Sequence, residues 1–517
     1  MSPRFERLAA RRDGFIRFPR LTLGLAAMLF VLAPLQTSRA EPVDRAKAMI
    51  QTSVALSDPL WDDRSAFIWG VPSREHPSAQ KLSVRGTAWY AFGLLARDGE
   101  GDRARAARAI EAVLRQQIDA PDEPWDGTFY RSPDEPNPPL FARVWDDYDP
   151  NWRQFIGTTW ALILLRFPDR IPAALVPRLE DSMRRALEGE LAQTRLKPEY
   201  TNIALMQAFL QSYLGGRLER PEWVKGGEEW ARRIHELYLK HGTFEEYNAP
   251  TYYGVDLYGL ALWREFGPTK AFREWGAEME AGLWREIAKY YHAGLHNLCG
   301  PYDRTYGMDM QRYVSLTGVW MALVLDGPEA PLPAPGPEME HGHDFQFAPL
   351  FAVLGARVPD DAMRDFTAFR GERTIERTIA RRRTATAWLG QDIMIGGELT
   401  ALSRSAGGPY SQFCPATVHW KTPSGKTGWV ALAKCPRVDA RASANRLEIQ
   451  AIGDSIFRLS APELDASQLT RDAWRLPGLN VQVETDARDF NVRPGKYWVE
   501  VEYGNATHLV LKTEKIP

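Results

Sequence analysis

Three short stretches concentrate side chains able to donate hydrogen bonds or move a proton. Residues 241–254 (HGTFEEYNAPTYYG) form a polar, aromatic loop just ahead of an apolar helical run, and they offer Asn248, Tyr252 and Tyr253 as neutral donors and phenols. Residues 292–307 (HAGLHNLCGPYDRTYG) begin with His292 and set Arg304 between Tyr302 and Tyr306. The third, Tyr200-Thr201-Asn202, opens another helical run, where Asn202 serves either as an N-cap or as a donor facing a ligand. A free phenol loses its proton only near pH ~10, so it acts as a base at neutral pH only beside a cation that favours its ionised form. Arg304 is the cation these stretches supply.

Other groups allow different chemistry. His341-Gly342-His343-Asp344 offers an imidazole for proton transfer or, as a second possibility, a metal pair; His292 and His296 stand at helical spacing but lack the glutamate of a metalloprotease helix. Glu245, Glu246, Asp303 and Asp309 are the carboxylates from which an acid/base pair would be drawn. Trp125 and Tyr130 in PWDGTFY, with Trp145, Tyr148 and Trp152 in VWDDYDPNW near Arg143, are flat rings beside hydrogen-bonding groups, suited to covering sugars or to packing their own loops. No spacing of the three cysteines resembles a zinc site, and neither metal nor cofactor is expected.

The elements that must hold these residues fall into two textures. Between about residues 44 and 327, runs with apolar positions at helical spacing (84–95, 104–117, 152–167, 173–193, 203–214, 228–240, 254–266 and 272–292) alternate with loops rich in Pro, Gly, Asp and Trp. Paired helices with long decorated loops predict an (α/α) toroid whose loops build a cleft at one end. Residues 328–337 (PEAPLPAPGP) read as a stiff linker, followed by two short helical runs at 350–356 and 361–369. Beyond residue 370 the pattern becomes alternating and β-branched, at 384–389, 416–421, 428–432, 446–452, 455–459, 479–485, 497–503 and 508–512. The expected fold is multidomain α+β: a toroid over 41–370, including the Pro-rich stretch, then an antiparallel β-sandwich over 371–517.

With 64 Lys+Arg against 66 Asp+Glu, the chain lacks the basic excess of a nucleic-acid binder. Residues 1–40 have the form of an export signal: arginines, then an apolar run at 21–35 too short for a comfortable membrane span, then Ser38-Arg39-Ala40. Removing them takes away seven arginines and two acidic residues and leaves a net charge near −7, so an anionic ligand must be met by a local basic cleft. A periplasmic or secreted protein with no membrane contact after cleavage is expected, in which Cys414 and Cys435 have a chance to pair.

The segment TNIALMQAFL opening on Asn202, the loop GTFEEYNAPTYYG, the downstream Tyr/Arg loop and a terminal β-rich region together resemble the heparinase II/III-like and chondroitin AC-type polysaccharide lyases. The resemblance implies β-elimination on a uronic-acid glycan, in which an Asn or Arg neutralises the carboxylate and a Tyr or His takes the C5 proton. A proton next to a charged carboxylate is scarcely acidic, so donors must stabilise the enolate-like charge that develops there. By similarity Asn202 is the neutraliser, helped by Arg304, and Tyr253, followed by Gly254, transfers the proton. Glu246 to Tyr252 is one residue longer than the heparinase pattern, which keeps Tyr252 as a rival, and His343 is the matching histidine. Asn248, His292, Tyr302, Tyr306, Trp125 and Trp145 complete the expected substrate contacts, and the partner is an acidic polysaccharide. A glycoside hydrolase on the same fold and a noncatalytic glycan-binding protein remain open beside the lyase.

Overall fold

Burial sorts the helices into two kinds. The structure is a computed structural model that describes residues 42–71, 81–336, 338–407 and 412–516; the expected export segment lies outside the described residues. After α1 (Pro42–Ser57), the chain forms four hairpins: α2 (Val84–Arg97) with α3 (Asp102–Leu114), α4 (Trp152–Arg166) with α5 (Leu175–Leu191), α6 (Thr201–Arg217) with α7 (Pro221–His241), and α8 (Tyr252–Phe266) with α9 (Lys270–Tyr290). The first helix of each pair is apolar almost all round: α4 buries every residue from Trp152 to Leu164, and α6 every one from Thr201 to Ser212. The second carries a single stripe, as in α7, where Gly227, Ala231, Ile234 and Tyr238 are buried and most of the charged residues lie outside. A helix without a polar face must be surrounded by protein, so α2, α4, α6 and α8 form the inner wall and their partners the outer one.

Each inner helix packs on the next, and the short helices α10 (Leu316–Met321) and α11 (Ala348–Leu354) close the ring from α8 back to α2, with α1 alongside. This is the (α/α) toroid. Gly254 permits a close passage of α8 against α10: a Cβ there would lie 2.3 Å from the Leu316 carbonyl carbon. Residues 328–336 are not the spacer expected from their prolines. They pack onto the toroid, with the Glu329 carbonyl accepting from Tyr291 at 3.4 Å and Ala330 buried, because helices continue through α12 (Asp360–Thr367).

Short strand pairs decorate the helical loops, β1 (Trp61–Asp62), β2 (Phe67–Trp69) and β3 (Leu82–Ser83) in one set, β4 (Tyr291–His292) and β5 (Asn297–Leu298) in another. The remaining strands build two antiparallel sheets. The larger runs β16 (Asp489–Pro494), β17 (Val499–Gly504), β13 (Ser455–Ser460), β10 (Thr427–Lys434), β9 (Ala416–Lys421), β8 (Ile393–Leu399), β7 (Arg383–Leu389), β6 (Arg373–Ala380). The smaller runs β11 (Arg437–Ser443), β12 (Arg446–Ile452), β18 (His508–Lys515), β15 (Leu479–Thr485), β14 (Ala473–Leu476). Smaller-sheet strands alternate buried and exposed residues. Those of the larger sheet facing the toroid are buried on both sides: Ala385, Ala387 and Leu389 of β7 join the helical core, while Trp388 between them joins the core shared by the two sheets.

Cys299, Cys414 and Cys435 are buried free thiols, so Cys414 and Cys435, whose pairing the sequence left open, are not bonded to each other; Cys414 faces the Leu432 carbonyl and Cys435 that of Arg437. No helix among the described residues is long and apolar enough to cross a membrane.

Candidate active site

A cavity of about 480 Å³ opens where the inner helices begin. Its wall takes Arg85 and Trp89 from α2, Trp152 and Phe155 from α4, Asn202 from α6 and Tyr252 from α8, with Gln412 contributed by the β half. Four helix N-termini with their positive dipole ends therefore converge on one space, which favours a negatively charged ligand.

One hydrogen-bonded chain runs along this wall. Glu246 accepts from the Asn202 backbone N–H at 3.1 Å and from its Nδ2 at 2.6 Å, so it caps α6 from the opposite loop; Asn202 sits inside the first turn and is not the N-cap. With one amide hydrogen on Glu246, Asn202 is oriented as a donor. Arg304 spends its whole fork locally, donating to Glu246 at 2.7 Å, to the Tyr252 hydroxyl at 2.6 Å and to Gln412 at 3.1 Å, with its guanidinium 3.5 Å from the centre of the Tyr252 ring. Tyr252 shares a 2.5 Å hydrogen bond with Tyr306, whose ring stacks 4.4 Å from that of His341. His341, His343 and Asp344 follow, with one ligand atom from each lying within 4.8 Å of the others, a set whose donors would suit a divalent cation.

Burial, reinforced by Tyr306, pushes the Tyr252 phenol well above its ordinary value, and Arg304 offsets only part of this. Tyr252 is therefore a neutral proton donor at neutral pH. Burial works against the charge of Arg304, but Tyr252, Glu246 and Tyr200 outweigh it and keep the guanidinium protonated. Asp149 and Asp344, the carboxylates on the cavity wall, are both raised by burial.

Of the residues singled out from sequence, Asn202, Tyr252, Arg304, Tyr306, His343 and Trp145 meet at this cavity. Five do not. Tyr253 is wholly buried against Tyr247 in the helical core, because the residue after Tyr252 points about 100° round the helix. Asn248 ties down the neighbouring loop through the carbonyls of Cys299 and Pro301. His292 stacks on Phe369 and bonds the Gly390 carbonyl, and Tyr302 donates to the Leu298 carbonyl. Trp125 packs against Tyr148 in a separate small cluster. Two of the candidate hydrolase carboxylates are engaged by arginines, Glu246 as above and Asp303 by Arg383 and Arg404, and Glu245 does not line the cavity. Asp309 lines a second cavity of about 390 Å³ that shares Tyr306, His341 and Gln412 with the first, and burial there raises it to about 6.

Arg85, Asp149, Asn151 and Gln412 line the first cavity and were not marked by sequence.

Two family models match the chain, "Domain of unknown function (DUF8769)" over residues 47–356 and "Domain of unknown function (DUF8770)" over residues 372–507. No curated protein matches. Among solved structures, the chain is similar to heparinase III at 9% identity and a TM-score of 0.41, with 94% of this chain and 87% of that one aligned. It is also similar to the endoglucanase CelQ from Clostridium thermocellum complexed with cellotetraose, at 10% identity and a TM-score of 0.29, with 91% and 92% aligned. The first family model spans more than half of the sequence, and the chain belongs to the family it describes, Domain of unknown function (DUF8769).

Proposed function

We propose that the protein is an exported polysaccharide lyase that cleaves a uronic-acid-containing glycan by β-elimination. The observation that carries this reading is the Tyr252 hydroxyl, held at the cavity wall by Arg304 at 2.6 Å, beside an Asn202 amide oriented as a donor. Tyr252, neutral at working pH, delivers its proton to the glycosidic oxygen as the C4–O bond breaks. The C5 proton goes to an imidazole at the rim, His343 or its neighbour His341, whose intrinsic basicity suits neutral pH. Asn202 donates its second amide hydrogen to the charge that builds on the carboxylate. Glu246 and Arg304 hold the donor and the acid in place.

A second reading has one observation in its favour: Asp149 and Asp344 line the same cavity and both are raised by burial, the kind of pair a glycoside hydrolase uses. Products separate the two. Incubation with pectic, alginate and glycosaminoglycan substrates should yield ultraviolet-absorbing unsaturated uronates without net addition of water. New reducing ends lacking that absorbance would replace the lyase with the hydrolase.

A further inference from the structure

The cations around the cavity are unequally occupied. Arg304 is saturated by Glu246, Tyr252 and Gln412. Arg131 is paired with Glu135 and donates to the carbonyls of Trp145 and Asp146, both at 2.9 Å. Arg195, behind the wall, holds the Asn151 side chain at 3.0 Å and Glu190 at 2.8 Å. Arg85 differs. Its guanidinium lies over the rings of Trp89, Phe155 and Trp152 at 4.7, 5.0 and 5.1 Å, and it makes no hydrogen bond or ion pair among the described residues. The rings back the guanidinium without using its N–H groups, which leaves these for a ligand in the cavity it lines. It also sits in the first turn of α2, which Ser83 caps through the Gly86 N–H at 3.1 Å, so the helix end adds to its positive field.

We infer that Arg85, rather than Arg304, receives the carboxylate of the glycan and sets the preference for acidic over neutral chains. A planar fork meets a carboxylate with two parallel bonds; Asp149 and Asp344 feel the charge of Arg85 without hydrogen-bonding to it, so its N–H groups are spared for the ligand. The identity of the ligand rests on the lyase reading, but its binding is separable from elimination.

The test is equilibrium binding to the mature chain carrying Tyr252→Phe, followed by calorimetry and by the fluorescence of the tryptophans under Arg85. The ligands are unsulfated tetrasaccharides of galacturonate, mannuronate and hyaluronan, each with its carboxyl-reduced counterpart. At least one acidic tetrasaccharide should bind more tightly than its reduced form. Adding Arg85→Gln should weaken it by about 10- to 100-fold and erase that difference, and Arg85→Lys should restore part of the loss. Equal weakening of acidic and reduced ligands, unchanged binding after Arg85→Gln, or no binding of any acidic tetrasaccharide would each overturn the assignment. Arg85-dependent binding by a wild-type protein that releases no unsaturated product would instead remove the lyase reading and leave Arg85 as an anion receptor.

Discussion

Tyr252 and Tyr253 are neighbours in the chain with unlike surroundings. One lies on the cavity wall with Arg304 and Tyr306 on its hydroxyl; the other is sealed in the helical core. Tyr252→Phe removes the proposed acid and should lower turnover by about 100- to 10,000-fold, whereas Tyr253→Phe should keep near wild-type rates and change stability by at most ~1 kcal/mol. Ultraviolet absorbance of the product reads both, and an inactive Tyr253→Phe beside an active Tyr252→Phe would sink the assignment. The sequence resemblance favours Tyr253 and keeps Tyr252 as the rival, whereas the structure puts Tyr252 on the cavity, because direction around a helix is defined only once its first residue is known. Asn202 was legible as a polar residue where an apolar run begins, and Arg304 as a cation set between two tyrosines. Asn248, His292 and Tyr302 have the same chemistry but spend it on backbone carbonyls, and nothing in their spacing distinguishes the two employments. Arg85 was illegible for the opposite reason: a single arginine at a helix start resembles any solvated one until three rings are found beneath it.

Among elements, the larger sheet does more than shield the toroid. Arg383 of β7 binds Asp303 at 2.8 Å, Glu398 of β8 at 2.8 Å and the Glu245 carbonyl at 3.0 Å, and Arg404 joins Asp303 at 2.5 Å. Asp303 precedes Arg304 and Glu245 precedes Glu246, so this buried network fixes both partners of Asn202 and Tyr252 from outside the cavity. Arg383→Ala leaves Asp303 and Glu398 short of charge and should cost about 3 kcal/mol of stability. It should also lower kcat, although Arg383 lies off the cavity wall; Arg383→Lys, with one charge but no fork, should fall between. Urea denaturation beside initial rates checks both, and wild-type kcat in a destabilised Arg383→Ala protein would show that the loop needs no anchor. Most helices were legible, the outer ones from an apolar stripe and the inner ones from apolar runs too long for strands. The strands β6, β8, β11, β14 and β16 passed unnoticed: β8 is buried on both faces and carries Gly396-Gly397, so it shows no alternation.

At the scale of the molecule, strand order in the smaller sheet departs from chain order. β18, encoded last among the described strands, lies in the middle, with Leu511 opposite Leu447 of β12 on one side and Val483 of β15 on the other. Removing residues 508–517 should split that sheet into two ribbons with bare edges and yield aggregated protein, whereas a soluble truncated chain with the parental melting temperature would contradict this view of the sandwich.

The same placement sets a clock on assembly. While the chain emerges from a ribosome, β12 and β15 wait with unfilled edges, and no earlier segment supplies the missing rung. The toroid can mature early from neighbouring hairpins, but the smaller sheet completes only once β18 has been released, so the larger sheet, and with it the arginines that steady the cavity loops, gains its final backing after the helical half has formed.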